Sequence, residues 1–382
     1  MFVIERFVGI GCYVVALLCC CHFVKKTPSM KKVKKILNIY LLILVIMAYF
    51  YVPYITMDLY RLQIEVKQWV DSYSLMDIIS QCLRSSTPGW LLYGYLLGLT
   101  RLEGLLPACT ALIVYHNIFS VIISTAEHEN TYGSKLSDLL FYIMSIGEIY
   151  ILAIGNIRTA IGLSIVAVCF VNETYHKSNF FKDIPLYLIA ASFHQAALIM
   201  CAARILIVLV DPIIENGKIP VWNLIALTVI LAFFAAKPQV ILRFLNSATG
   251  KAINYLSKNY YDYFWERLIG VLNIIVVLVA MLQIRKLKSK SKLKETFWFC
   301  ALIVLLIVLF GNEFAIFRRL SVLLSIIAIP IIGSLLVEDD LCVLKFGGRC
   351  FSFQKILNFN SWIVLLLECV RGDLCGYKFF QL

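Results

Sequence analysis

Long apolar runs alternate with short polar stretches along this chain, and the runs are too uniformly apolar for the amphipathic helices of a soluble protein. Leu41–Tyr54, Leu268–Gln283 and Phe297–Phe310 contain no charged residue. Because a helix of about 20 mostly apolar residues crosses a bilayer, the pattern predicts an all-α, polytopic membrane protein with roughly ten to eleven transmembrane helices. The candidate segments are Phe7–Val24, Ile36–Ile55, Pro88–Thr100, Gly104–Ser124, Leu139–Gly155, Thr159–Tyr175, Ile184–Val210, Val221–Ala236, Leu268–Ile284, Phe297–Phe310 and Leu320–Val337.

Composition supports this class. Hydrophobic residues make up 61% of the 382 residues, charged residues make up 15%, and the mean hydropathy is +0.85. Soluble domains carry about 25% charged residues. A membrane β-barrel would show short alternating segments rather than long unbroken runs.

The net charge of +12 is concentrated in two lysine-rich loops, Lys25–Lys35 and Arg285–Lys294, which lie directly between apolar runs. The positive-inside rule places both loops in the cytoplasm, so the charge indicates topology rather than a nucleic-acid partner. Binding of anionic lipid head groups is the lesser alternative. The stretches 57–87 and 237–267 then become the longest external loops.

The remaining topology follows from the same rule. Phe7–Val24 is followed by lysines rather than by a cleavage site, so it is predicted to be a first transmembrane helix. If 176–182 is cytoplasmic, Asn156 and Arg158 lie at an external turn, and residues 88–124 cross the membrane once. We assign 1–337 to the membrane domain and leave 338–382 as a tail without a role, since Ser361–Leu367 is too short to span.

Several classes of chemistry lack their signatures in this sequence. The 13 cysteines lie mostly in apolar runs and show no zinc-ligand spacing. No P-loop, dinucleotide-binding, zincin or nucleophile-elbow motif is present. The sequence therefore predicts no metal, no nucleotide cofactor and no cytoplasmic nucleotide-sugar chemistry.

Charged side chains in apolar segments are costly, about 2.5–3.5 kcal/mol at a helix centre, and are functional candidates for that reason. Arg158 begins a helix beside a predicted external loop, and Glu148 is its expected ion-pair partner; a snorkelling arginine is the alternative. His194 is predicted to lie inside an apolar helix, as either a cavity-facing residue or a buried histidine bonded to a neighbouring helix.

Three further sets of residues fall on the predicted external side. Arg318 and Arg319 open the last strong helix there, against the usual charge bias, which favours function over topology. Asp58 and Arg61, three residues apart, could form a weak surface pair, and Asp58 could also act as a general base or bind a sugar hydroxyl. The aromatic residues of the second loop are either interfacial anchors or a sugar-stacking surface: Tyr255, Tyr260, Tyr261, Tyr263, Phe264 and Trp265.

These landmarks occur in an order that resembles the EpsG-like branch of the Wzy-type polysaccharide polymerases, over roughly residues 36–335. Asp58-Leu59-Tyr60-Arg61 is followed by Ser86-Thr87-Pro88-Gly89-Trp90-Leu91-Leu92-Tyr93, by Asn156-Ile157-Arg158-Thr159-Ala160, by Ala190-Ala191-Ser192-Phe193-His194-Gln195-Ala196-Ala197-Leu198, and by an arginine near the last helices. One departure is Thr159, where family members often have glutamine.

The resemblance implies a GT-C-like membrane fold in the bacterial inner membrane. It also implies polymerisation of oligosaccharide units linked to undecaprenyl pyrophosphate, without metal or nucleotide, in contact with membrane lipids and with a flippase and a chain-length regulator as possible partners. Arg158 and Arg318 or Arg319 would hold the pyrophosphate, and Asp58 or His194 would orient or deprotonate the attacking hydroxyl. Tyr60, Arg61 and Gln195 would complete the substrate-binding set.

Three other functions remain open from the sequence. A flippase or transporter of lipid-linked glycans would share basic residues, but transporters often show internal repeats, and none is apparent here. A related ligase would share the chemistry and differ in its acceptor. A structural subunit of a secretion system would not need the arginines.

Overall fold

The computed structural model describes residues 2–53, 55, 57–176, 180–216, 264–285, 293–311, 313–338, 342–346 and 349–371. Within these ranges the chain is almost entirely helical, which confirms the all-α class. The helices are α1 (Phe2–Lys26), α2 (Met30–Tyr49), α3 (Asp58–Ser72), α4 (Leu75–Cys82), α5 (Pro88–Gly98), α6 (Leu105–Glu129), α7 (Ser134–Ser145), α8 (Gly147–Gly155), α9 (Ile157–His176), α10 (Phe180–Phe193), α11 (Gln195–Asn216), α12 (Phe264–Ile284), α13 (Lys294–Phe310), α14 (Phe314–Ile327), α15 (Ile329–Val337) and α16 (Phe353–Arg371). Strands β1 (Cys342–Phe346) and β2 (Arg349–Ser352) form an antiparallel pair.

Part of the predicted organisation lies outside the described residues. It comprises the helix Val221–Ala236 and the aromatic residues Tyr255, Tyr260, Tyr261 and Tyr263 of the second loop. Phe264 and Trp265 of the same aromatic set are described, and they open α12 with exposed side chains.

Four described helices are long and apolar enough to cross a membrane: residues 8–26, 105–129, 157–175 and 264–284. Two bent pairs, α7 with α8 at 51° and α14 with α15 at 42°, raise the number of candidate spans to six if each pair is one span. Helix α2 is also long, but its lysine-rich first turns shorten its apolar stretch. The higher count from the sequence stays a prediction.

The lysines of the first loop, at the end of α1 and the start of α2, lie at one end of the helical bundle, which we call the lysine end; residues 286–292 of the second loop lie outside the described residues. Lys34 forms a 2.7 Å ion pair with Glu127 near the end of α6. At the same level His128 stacks on Tyr175, with ring centroids 4.6 Å apart, at the end of α9. The start of α2 and the ends of α6 and α9 therefore meet here.

The opposite end carries Arg158, Arg318 and Arg319 and is called the arginine end. Asn156 at the start of α9 accepts a 3.2 Å hydrogen bond from Arg319 at the start of α14. A Cβ added to Gly104, just before α6, would lie 2.3 Å from the carbonyl oxygen of Tyr49 at the end of α2. Residues 105–129 therefore run from the arginine end to the lysine end as α6.

The stretch 57–87, predicted as a loop, is largely helical. Amphipathic α3 packs against α5, where Gly94 and Gly98 allow close approach of Trp69 and Val66. Helix α4 begins with a capping box in which Ser74 and Asp77 bond each other's backbone N–H groups. These hydrogen bonds lower the pKa of the exposed Asp77 carboxyl.

Helices α6 and α9 run in parallel through the middle of the bundle. The amide of Asn117 on α6 donates a 3.0 Å hydrogen bond to the hydroxyl of Ser164 on α9. On its other side α9 meets α10 and α11 at Gly162, where an added Cβ would lie 2.9 Å from the Cβ of Ala197 and 3.0 Å from the carbonyl oxygen of Ala190. A side chain at 162 would push the helices apart.

We expect Gly162→Ala to lower stability by about 1–3 kcal/mol, because overpacking of a filled interior forces the backbone to shift. Gly11→Ala is the matched control, since nothing lies within 4 Å of the added Cβ at Gly11. The thermal midpoint of the detergent-solubilised protein, followed by fluorescence-detected size exclusion, measures the difference. Equal midpoints for the two variants would contradict the close approach.

The segment treated as a tail contributes a helix to the bundle. Helix α16 starts at the lysine end, where the Gln354 amide donates to the Asp138 carboxylate. Further along, Trp362 packs on Phe141 of α7, with ring centroids 4.9 Å apart. Near its end the fully buried Glu368 accepts a 3.0 Å hydrogen bond from the backbone N–H of Glu148.

Candidate functional site

The turn between α8 and α9 is the centre of the arginine end. Helix α8 ends at Gly155, Asn156 leaves helical geometry at φ −109° and ψ 50°, and Arg158 lies in the first turn of α9. The Arg158 guanidinium carbon lies 5.7 Å from the ring centroid of Trp90 on α5. Trp90 is almost fully buried, so this cation–π contact holds the guanidinium of the partly buried Arg158 against an apolar ring.

Arg318 and Arg319 reach the same region from α14, which begins after Glu313. Arg319 bonds the side-chain oxygen of Asn156, two residues before Arg158. The Nε–H of Arg318 donates to the carboxylate of Glu148 at the start of α8. All three predicted arginines therefore surround the α8 segment and the turn that follows it.

The ion pair of Glu148 reaches beyond its sequence neighbours. Glu148 lies close to Arg158 in sequence, and the structure gives it a second candidate partner, Arg318, whose Nε–H donates to its carboxylate. Helix α8 separates Glu148 from the turn before Arg158 by roughly 10 Å along its axis. The Glu148–Arg318 pair is mostly buried, with side-chain exposures of 4% and 17%.

Arg318 retains a donor that the protein does not use. Its Nη2 atom is buried and has no hydrogen-bond partner within the described part of the chain. A buried N–H without an acceptor is costly, and a phosphate oxygen is the acceptor that a guanidinium fits best.

The sequence predicted His194 inside a helix, but the structure places it at a break between two helices. The predicted segment Ile184–Val210 is two helices, α10 and α11, which reverse direction at His194. Tyr187 and Cys201, seven residues on either side of it, are in contact at 3.5 Å. A straight helix of that length would measure roughly 40 Å, longer than the hydrocarbon core of about 30 Å.

The His194 ring has a defined hydrogen-bonding role at the start of α11. Its Nδ1 atom accepts a 3.0 Å hydrogen bond from the backbone N–H of Ala196, as an N-cap does. A nitrogen that accepts a hydrogen bond carries no proton, so the neutral ring holds its proton on Nε2. In this geometry Nε2 is a hydrogen-bond donor and not a base.

The hairpin tip at His194 lies beside the arginine site. The ring of Phe193 contacts that of Tyr93 at 5.7 Å, and a Cβ added to Gly89 would lie 2.2 Å from the Ser192 hydroxyl. Both contacts are on the first turns of α5, next to Trp90. Gln195, the remaining predicted residue of this stretch, is half-buried in the first turn of α11.

Asp58, Tyr60 and Arg61 lie at the start of α3. Asp58 and Arg61 form a 3.0 Å ion pair with side chains 43% and 64% exposed, which is the weak surface pair weighed from the sequence. Tyr60 is half-buried. A Cβ added to Gly155 would lie 3.8 Å from the terminal methyl carbon of Met57, the residue before Asp58. Asp58 therefore borders the same turn as Arg158.

Sequence reasoning missed a buried arginine, Arg204, which lies at the lysine end. Arg204 on α11 bonds Glu173 on α9 and Glu295 on α13, each at 2.7 Å, and lies over the ring of Phe170. The signal was an arginine within the apolar run 184–210. Since both partners are carboxylates, the charge of Arg204 is already compensated, and the cluster joins three helices.

The described residues thus define a multi-pass helical membrane protein with three partly buried arginines at one end, around α8 and the turn that follows it, and with the buried Arg204 at the other end. No group of three or more metal-binding side chains occurs within the described ranges.

The EpsG family profile matches residues 72–342. That range covers most of the chain and includes α5 to α15, so the protein belongs to the EpsG family. The family places it in polysaccharide biosynthesis, with a polymerase-type, glycosyltransferase-like function acting on lipid-linked saccharides in a membrane. No match was found among curated proteins or among solved structures.

Proposed function

We propose that this protein polymerises oligosaccharide repeat units linked to undecaprenyl pyrophosphate, at the outer face of the bacterial cytoplasmic membrane. The observation that carries the proposal is that Arg158 and Arg319 lie at the turn between α8 and α9, while Arg318 binds Glu148 at the start of α8. Three guanidinium groups that are partly withdrawn from water around one short helix fit a pyrophosphate, which carries two or three negative charges.

The sidedness of the proposal follows from charge. The positive-inside rule assigns the lysine end to the cytoplasm, so the arginine end faces outward, where a flipped lipid-linked donor presents its pyrophosphate. Arginines on that side run against the charge bias, and ligand binding accounts for them.

The proposed reaction transfers the growing chain from its carrier to the next unit. A hydroxyl oxygen at the non-reducing end of the acceptor forms a bond to the anomeric carbon of the donor. The bond between that carbon and the pyrophosphate oxygen breaks, and its electron pair leaves with the pyrophosphate. The hydroxyl proton passes to a carboxylate, for which Asp58 is the candidate.

Each side chain then has a distinct task. The guanidinium groups of Arg158 and of Arg318 or Arg319 stabilise the charge that builds on the leaving oxygen, an effect that is larger in a low-dielectric cavity than in water. Because His194 holds its proton on Nε2, we assign it a hydrogen bond to substrate instead of proton abstraction. Tyr60, Arg61 and Gln195 border the space for saccharide. The proposal requires neither metal nor nucleotide.

A glycan length ladder tests the proposal. We expect a strain without this gene to accumulate single repeat units on lipid at the outer face, and complementation with the wild-type gene to restore long polymer. Polymer of unchanged length without the gene would refute the polymerase function. Single units confined to the inner leaflet would favour a flippase instead.

A further inference from the structure

The break between α7 and α8 creates a need for hydrogen-bond acceptors. The two helices bend by 51° at Ile146, which has non-helical dihedral angles of φ −76° and ψ 84°. The first N–H groups of α8 therefore have no carbonyl partner one turn earlier in their own helix. One of these groups is the backbone N–H of Glu148.

A residue from the far end of the chain supplies the acceptor. Glu368 on α16 is completely buried, and its Oε1 atom accepts the Glu148 N–H at 3.0 Å. A carboxylate at a helix N-terminus also interacts favourably with the helix dipole. Glu368 thus caps the broken helix from 220 residues away in sequence.

The capped residue is the one that holds Arg318. The backbone of Glu148 is bound by Glu368, while its side-chain carboxylate accepts from the Nε–H of Arg318. These two contacts link α16 to α8 and α8 to α14 through the buried residue Glu148. A shift of Glu148 would therefore move the Arg318 guanidinium.

We propose that Glu368 is a positioning residue for the anion site, acting on Arg318 through Glu148 and not touching substrate itself. The inference rests on the proposed function for its kinetic consequences. It makes α16, which lies beyond the family match at 72–342, a working part of the site. A misplacement of about 1 Å at a reacting group can cost about a hundredfold in rate.

The geometry predicts how substitutions of Glu368 rank by elongation rate. Glu368→Gln keeps an acceptor oxygen at the same reach and is expected to retain the rate to within about threefold, since neutral hydrogen bonds are about half as strong. Glu368→Asp keeps the charge but is one methylene shorter, and Glu368→Leu removes the acceptor. Both are expected to lower the rate per folded molecule by about tenfold or more.

Two readouts separate positioning from folding. Elongation of a lipid-linked repeat unit is measured in membranes and divided by the amount of monodisperse protein. Binding of farnesyl pyrophosphate, a short polyprenyl pyrophosphate, is measured on the purified full chain, and we expect Glu368→Leu to raise its Kd about tenfold. Glu173→Leu is the matched control, because it removes a buried carboxylate from the lysine end and should change stability without changing either readout.

The outcomes distinguish this inference from the proposed function. Wild-type protein that does not elongate the lipid-linked unit refutes the function, and the farnesyl pyrophosphate Kd then decides the inference. Unchanged rate and Kd in Glu368→Leu overturn the inference and leave the function standing. If Glu368→Leu does not fold, the other two variants decide: Glu368→Gln above Glu368→Asp supports positioning by an acceptor, and the reverse order overturns it.

Discussion

Replacing Arg158 with alanine is expected to abolish long polymer and leave single repeat units on the lipid carrier. Loss of one donor to a developing oxyanion costs about 10²–10³ in rate, and the Arg158 guanidinium is already held over Trp90 at the site. Arg158→Lys should be intermediate, because lysine keeps the charge but loses the bidentate fork and the stacking on the ring.

The measurement is the glycan length ladder in a deletion strain, with membrane levels of each variant matched by immunoblot. Arg84→Ala serves as the control, since Arg84 is an exposed arginine in the turn before α5. Full-length polymer from Arg158→Ala at matched levels would remove Arg158 from the mechanism.

The second large effect is expected at the Glu148–Arg318 pair, where stability and chemistry can be separated. Breaking a mostly buried ion pair from one side costs about 3–5 kcal/mol, because the other charge stays buried without compensation. Glu148→Gln and Arg318→Met should each lower stability in this way. The double variant should recover most of the stability and still lack elongation, since the guanidinium is absent.

A double-mutant cycle on thermal midpoint and on elongation rate measures both quantities. Recovery of elongation together with stability in the double variant would mean that Arg318 has a structural role and no part in the reaction. Additive losses of stability would mean that the two side chains do not interact in the membrane.

The fold was predictable from the sequence where it depends on local patterning. Apolar runs such as Phe297–Phe310 mark helices because a bilayer admits backbone polar groups only when they are bonded within the segment. The breaks at Ile146 and His194 were not predicted, because no proline marks either and the apolar runs resume within a few residues on both sides. The first break is capped by Glu368 from the far end of the chain, and the second by the ring of His194 itself.

The site was predictable as residue types and not as contacts. Arg158, Arg318 and Arg319 stand out since charges in apolar segments need an explanation. Their partners do not, because Glu148 and Arg318 are 170 residues apart and sequence proximity pointed to Arg158. The Asp58–Arg61 pair was foreseen because it lies within one helical turn.

The long separation between Glu148 and Arg318 also has a consequence for biogenesis. At roughly 5–20 residues per second, the ribosome completes Arg318 about 10–30 s after Glu148 and makes Glu368 later still. During that interval the nascent chain holds an acidic side chain in the bilayer before the partner seen in the native bundle exists. Chains that terminate before α14 would keep that defect, which gives membrane proteases a feature by which to recognise incomplete copies.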